Sequence, residues 1–120
     1  MTIVGRNNIE TQHDLEGLPR HLTLATGALT YQMRVSDTVL IVVSSGADAA
    51  GIVTLPSLAE AAGRFYFISA PTGATGGDVS IYEKETGAEL TTYGDLDADD
   101  DHVILFSDGT KWRVALNGVA

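Results

Sequence analysis

The densest set of chemistry-bearing side chains is the run at residues 95–101, DLDADDD, where Asp95, Asp97, Asp99, Asp100 and Asp101 crowd together. Carboxylates at such spacing are the hard oxygen donors that Ca²⁺ takes. Against an EF-hand loop begun at Asp95, positions 1, 3 and 5 are acidic. Position 6, however, is Asp100 where the sharp turn requires Gly, and position 12 is Phe106 where a bidentate Glu is required. The match fails. What remains is a looser site of Asp97, Asp99 and Asp101 or a solvated turn, and no metal ligand is assigned. The glycine-rich residues 73–77 lack phosphate-loop spacing, and residues 78–82 after them read as a strand rather than the helix whose N-terminus would hold the anion. His13 and His21 lie in an irregular segment and His102 opens a strand, so the three histidines form no ligand set. No Gly-x-Ser-x-Gly elbow occurs, and the chain has no cysteine to serve as a nucleophile. The expectation is a protein that is not an enzyme, with no catalytic residues and no cofactor.

The elements that carry these residues read as β-structure. Residues 38–44, TVLIVVS, are β-branched and apolar throughout, as a strand buried on both faces is. Residues 52–55 form the next strand, which Pro56 must end because it fixes φ and lacks an N–H. Residues 57–62 are good helix formers spanning less than two turns, with Gly63 as the left-handed stop. Phe65, Tyr66, Phe67 and Ile68 then read as a central strand apolar on both faces, followed by a glycine- and proline-bearing surface excursion over 70–77. Residues 31–35 and 79–84 alternate as half-buried strands do, and 90–93 form a further short one.

The clearest local signal lies near the C-terminus. Asp108-Gly109 between two apolar runs predicts a two-residue type I′ hairpin with Ser107 opposite Thr110. Leu105 then faces Trp112 and Val103 faces Val114 on a core side. The other side carries Ile104 and Phe106 opposite Arg113 and Lys111. There the basic stems either cover the apolar side chains or, with them, form a subunit contact.

Residues 1–28 show neither a period of 2 nor one of 3.6, yet hold Ile3, Val4, Leu15, Leu18 and Leu22. They read either as a floppy terminus or as an extended arm draped over a neighbouring subunit, with a possible edge strand over 22–25. The predicted organisation is an arm, 1–28, and a single β-domain, 29–120. The fold class is all-β: a β-sandwich or jelly-roll-like barrel of about seven to eight strands with one short helix. No internal repeat of fixed period is visible.

Composition narrows the partners. A net charge of −9 with seven Lys and Arg opposes nucleic-acid binding, which needs a basic surface. Nearly all the excess, −8 from five bases and thirteen acids, falls in residues 31–120. The longest apolar run, 39–43, is far short of the roughly 20 residues that cross a bilayer, and the first thirty residues lack a signal peptide's apolar centre. The expectation is a protein made without export that meets neither nucleic acid nor membrane.

One ordered set of motifs carries a resemblance. An apolar strand at 38–44 with a small-residue loop is followed by a valine and threonine strand ending in Leu55-Pro56, a small helix over 57–63 ending in Gly63, an aromatic strand ending in Ile68, and a Ser107-Asp108-Gly109-Thr110-x-Trp112 hairpin. Over about residues 36–116 this order resembles a module of tailed-bacteriophage structural proteins, found in capsid decoration (cement) proteins and in tail fibre or spike chains. The resemblance implies a homotrimer on the outer surface of the virion's capsid, made in the host cytoplasm, with the major capsid protein as partner. The chain has none of the long repetitive or coiled segments of a fibre, which favours the cement protein over a tail fibre, baseplate accessory or receptor-binding protein. The interface residues expected on this basis are Ile3, Val4, Leu15, Leu18 and Leu22 of the arm and Ile104, Phe106 and Arg113 of the hairpin. A soluble binding module of another kind is the third alternative.

Overall fold

Burial alternates residue by residue along the apolar strands, the mark of extended chain with one face turned to a core. The computed structural model describes residues 19–25, 29–44, 51–71, 78–90 and 94–119. Among these lie nine strands: β1 (Arg20–Leu24), β2 (Thr30–Gln32), β3 (Val39–Ser44), β4 (Gly51–Thr54), β5 (Phe65–Ala70), β6 (Val79–Tyr82), β7 (Asp95–Leu96), β8 (Asp101–Ser107) and β9 (Trp112–Gly118). They form a five-stranded sheet in the order β1-β3-β5-β8-β9 and a four-stranded sheet in the order β2-β4-β6-β7. Side chains of both sheets meet in one hydrophobic cluster that includes Leu40, Val42, Tyr66, Ile68, Val103 and Leu105 from the first and Val53, Val79, Ile81 and Leu96 from the second.

The first six strands alternate between the sheets, and β3 to β6 are each paired in parallel with the strand two before them. The chain therefore winds around a shared core, laying one strand on each sheet per turn. Arg20 aligns with Leu40 and Leu40 with Ile68, so successive turns advance by 20 and then 28 residues. Only the last part is antiparallel: β7 on β6, β8 on β5 and β9 on β8. The architecture is thus all-β and sandwich-like, with two mixed sheets. It is neither a closed barrel nor the antiparallel Greek keys of a jelly roll. Short turns would join antiparallel neighbours, whereas parallel neighbours need a crossover, and here the other sheet supplies it.

The expected short helix is not formed. Residues 57–62 hold one i to i−4 bond, Ala61 N–H to Ser57 O (3.0 Å), flanked by a reciprocal Ser57–Glu60 side-chain pair. Fewer than two turns cannot repay the cost of nucleating a helix, and neighbours take its backbone groups instead. Glu85 Oε2 accepts the Leu58 N–H (2.8 Å) and Ser107 Oγ donates to the Leu58 carbonyl (2.8 Å).

The hairpin register also differs from expectation. The connection is four residues, 108–111, and Ser107 lies opposite Trp112. A type I′ turn needs positive φ at both centres, but here Gly109 has it (φ 93°) and Asp108 does not. The Asp108 carboxylate instead collects the N–H groups of Thr110 and Lys111 (2.8 Å each) into a wider loop. The slip is two residues, so each side chain keeps its expected face: Val103, Leu105 and Trp112 are buried and Val114 packs against the core. Beyond Val114 a bulge leaves Ala115 unpaired and sets Leu116 beside Ile104.

Residues 20–24, assigned by sequence to the arm, are the edge strand beside β3. Of the excursion expected over 70–77, Ala70 ends β5 and residues 72–77 lie outside the described residues, as do 91–93 of the strand expected over 90–93; β7, at the head of the acid run, was not expected.

Candidate functional site

Outward-facing side chains distinguish the two sheets. On the second sheet the outer rows read Thr30, Ile52, Ser80, Asp95 and Gln32, Thr54, Tyr82, a mostly polar surface. On the first, register aligns Val39, Phe67, Ile104 and Leu116 across four adjacent strands. The next row holds Phe65, Phe106 and Arg113, with the two phenyl rings 5.1 Å apart. Phe65 and Leu116 are 57% and 47% exposed, and Val39, Ile104, Phe106 and Phe67 are half-buried. A third row, His21, Ile41, Ser69 and His102, closes the face. The His102 ring lies 5.9 Å from that of Phe67 and over Gly118, where a Cβ would overlap the imidazole.

No carboxylate of a described residue points from these rows. The nearest, Asp108 in the loop at the rim, receives the Arg113 Nε–H at 2.8 Å. That bond, then the Lys111 and Thr110 N–H groups, holds the Asp108 carboxyl well below the usual carboxylate range.

Of the residues expected at an interface, Ile104, Phe106 and Arg113 come together on this face. Leu22 does not: it is half-buried on the inner side of β1, against the core. Ile3, Val4, Leu15 and Leu18 lie outside the described residues. The sequence reading missed Val39, Phe65, Phe67 and Leu116 as members of the same surface. For Val39, Phe65 and Phe67 the signal is a run of apolar residues at successive strand positions, which by itself does not distinguish a covered outer face from an exposed one; Leu116, in the mixed strand β9, carries no such signal.

At one end of the first sheet the two halves of the ordered motif set meet. The Gly63 N–H donates to Ser107 O (2.8 Å), Ser107 Oγ donates to Leu58 O and accepts the Gly109 N–H (3.1 Å), and Ala62 bridges Ser107. Behind them the Tyr66 and Trp112 rings pack edge to face at 5.7 Å, and the Tyr66 hydroxyl donates to Val35 O (2.8 Å). Burial pushes the Tyr66 phenol above its ordinary value near 10. Segments more than forty residues apart in sequence thereby become one packed unit.

A second polar cluster ties the first winding turn. Buried Asp37 accepts from the Tyr31 hydroxyl (2.7 Å) and the Arg34 N–H (2.9 Å) and pairs with Arg20 Nε at 3.2 Å. Arg20 Nε also donates to the Tyr31 oxygen (3.0 Å). Burial, and then the bond to Asp37, raises the Tyr31 phenol. With Arg20 on one sheet and Tyr31 on the other, the cluster clamps the two together.

The acid run is drawn apart by its own backbone. Asp95 belongs to β7, Asp101 is buried at the start of β8 and accepts the Ala98 N–H (3.0 Å), and Asp100 takes a left-handed φ of 65° in the turn between them. No group of three or more His, Asp or Glu side chains among the described residues converges as a metal site would. Burial, then the charges of Asp97 and Glu89, raises the Asp95 carboxyl above its ordinary value.

A cleft of about 450 Å³ opens beside β9, lined by Leu90, Leu105, Phe106, Trp112 and Val114 together with Lys111 and Arg113. Trp112 is 8% exposed and packs edge to face with Tyr66, and its buried indole Nε1–H finds no acceptor among the described residues. No family model, curated protein or solved structure matches this chain.

Proposed function

We propose that this protein is a structural component of a tailed-bacteriophage virion, a capsid decoration (cement) protein that sits as a trimer on the outside of the head lattice, contacts the major capsid protein, and stabilises the shell without catalysis. The observation that carries this is the junction at Ser107. There the segment ending in Gly63, the aromatic strand and the Ser-Asp-Gly-Thr-x-Trp hairpin, three of the motifs that carry the resemblance to the phage module, are bonded into a single body, although the first is a turn rather than the short helix expected. That these segments pack against one another supports reading them as parts of one module.

The physical design suits a clamp. Turns of chain wound around one core give a rigid block without loose layers, and an apolar outer face supplies contact area without buried charge. Many weak contacts, each repeated by lattice symmetry, then add to a strong restraint. The charge of −9 keeps the free protein soluble and away from the packaged nucleic acid.

The test is re-addition of purified protein to heads stripped of their decoration, scored by survival on heating. Saturable binding with a gain in heat tolerance is expected. Absence of head binding, together with binding to host-cell glycans, would place the protein at the tail instead.

A further inference from the structure

We infer that the outer face of the five-stranded sheet is the seam at which copies of this chain meet, the faces turned toward a common axis so that the Val39–Phe67–Ile104–Leu116 row of each copy packs against the apolar rows of its two neighbours. The inference deepens the trimer reading and rests on it for the number of copies.

Three observations converge on this face. First, β3 and β5 place Val39, Ile41, Val43, Phe65 and Phe67 outward, with Ser69 the one polar side chain among their outward positions, close to the composition of strands covered on both sides, yet the core covers one side only. Second, charge selects the occupant. Copies carrying −9 each repel, so self-association is least opposed where no carboxylate intervenes, and these rows present none among the described residues. The outer face of the second sheet, by contrast, carries Asp95. Arg113 adds no unpaired cation, because Asp108 holds it. Third, the surface is as large as the largest apolar patches that monomers expose. Four to five strands about 4.8 Å apart and three side-chain rows about 6.8 Å apart give roughly 20 by 20 Å, or about 400 Å². Patches of about 300–600 Å² are the largest that ordinary monomers expose and are commonly functional.

The other candidate to cover this face is residues 1–18 of the same chain. They carry Ile3, Val4, Ile9, Leu15 and Leu18 without the period of 2 that a strand laid along these rows would need, and they bring Glu10, Asp14 and Glu16 with them. A second copy brings the same acid-free rows.

The area also fixes the strength. With each face of about 400 Å² shared between two neighbours, a pair buries about 400 Å² in total and three copies about 1,200 Å², no more than the lower end of stable complexes, so association of the free protein falls in the micromolar range or weaker. On a lattice that already holds the copies side by side, the raised effective concentration closes the seam.

The test is sedimentation velocity of the full chain from about 1 µM to about 500 µM. The wild type is expected to pass from monomer to oligomer. The double variant Phe65→Glu/Leu116→Glu, at two exposed positions that leave the core intact, is expected to weaken association by at least about 100-fold, because each seam then faces like charges. Lys84→Glu, on an exposed turn, makes the same change of net charge elsewhere and is expected to leave association within a few fold of wild type. Circular dichroism melts check that both variants fold. A wild type that stays monomeric throughout, or a double variant that associates as well as the wild type, overturns the inference. Because the chain has no cysteine, Leu116→Cys gives a clean thiol probe. Labelling that slows as concentration rises supports a second copy, and protection in a dilute monomer assigns the face to residues 1–18 and overturns it. All these measurements use the protein alone, so failure to bind heads and failure of the seam are separate results.

Discussion

Replacing Ser107 with Ala removes one hydroxyl from a wholly buried site, and the consequences can be worked group by group. The backbone link survives, because the Gly63 N–H bonds to the Ser107 carbonyl, which the substitution keeps. The Gly109 N–H loses its acceptor but lies in an exposed loop, where water replaces the side chain. The Leu58 carbonyl loses its donor at 2.8 Å and is half-buried, so it is the group that pays the penalty of an unmade hydrogen bond. An unsatisfied buried acceptor costs about 1–3 kcal/mol, and partial access of water to Leu58 brings the expected loss to about 1–2 kcal/mol. For a chain of this length that is a fall in Tm of roughly 3–10 °C. Urea titration followed by the fluorescence of Trp112, the sole tryptophan, reads the junction directly, and a shifted midpoint with unchanged slope is expected. The control is Thr86→Ala, which removes a hydroxyl that accepts the Ala88 N–H on an exposed turn. A Ser107→Ala loss below about 0.3 kcal/mol, or no larger than the control's, would refute the claim that this contact joins the turn to the hairpin.

Other outcomes follow from the same structure. Gly118→Ala places a methyl group in the His102 ring and should cost about 1–3 kcal/mol, while the same change in a His102→Ala background should cost little; equal losses in both would contradict the overlap. Tyr31 and Tyr66 both have phenols raised above about 10, so their stability contribution is complete below that pH and is lost as pH climbs through the raised values. Alkaline melts should therefore fall steeply above about pH 10, and Tyr66→Phe should flatten the fall. Asp108 has the opposite sign: its lowered carboxyl contributes stability above the ordinary carboxylate value that is lost on acidification, so Asp108→Asn should leave a shallower acid limb in a pH series of melts.

Strand positions were largely legible because they depend on local pattern. β-branched runs, Pro56 and the Asp-Gly pair mark β3, the end of β4 and the final hairpin within a residue or two. Pairing was not legible. Turn signals about ten residues apart look the same whether the chain doubles back or crosses to another sheet, and the winding left no fixed period because one turn advances 20 residues and the next 28. The hairpin loop was misread because Asp108 satisfies a wider turn with its carboxylate, a choice invisible in the dipeptide alone. The outer face was half visible. Ile104, Phe106 and Arg113 could be grouped from the hairpin's own alternation, but their neighbours Val39, Phe65 and Phe67 join them only through strand pairing across the sheet.

Electron cryomicroscopy of stripped heads re-supplied with the purified protein is the most direct measurement of the central claim, an assembling shell component. The account predicts added density outside the shell in three-fold clusters, with the outer face of the five-stranded sheet of each copy turned toward a sister copy and the polar sheet facing solvent. Heads that stay bare, or isolated copies whose apolar face meets nothing, would contradict it.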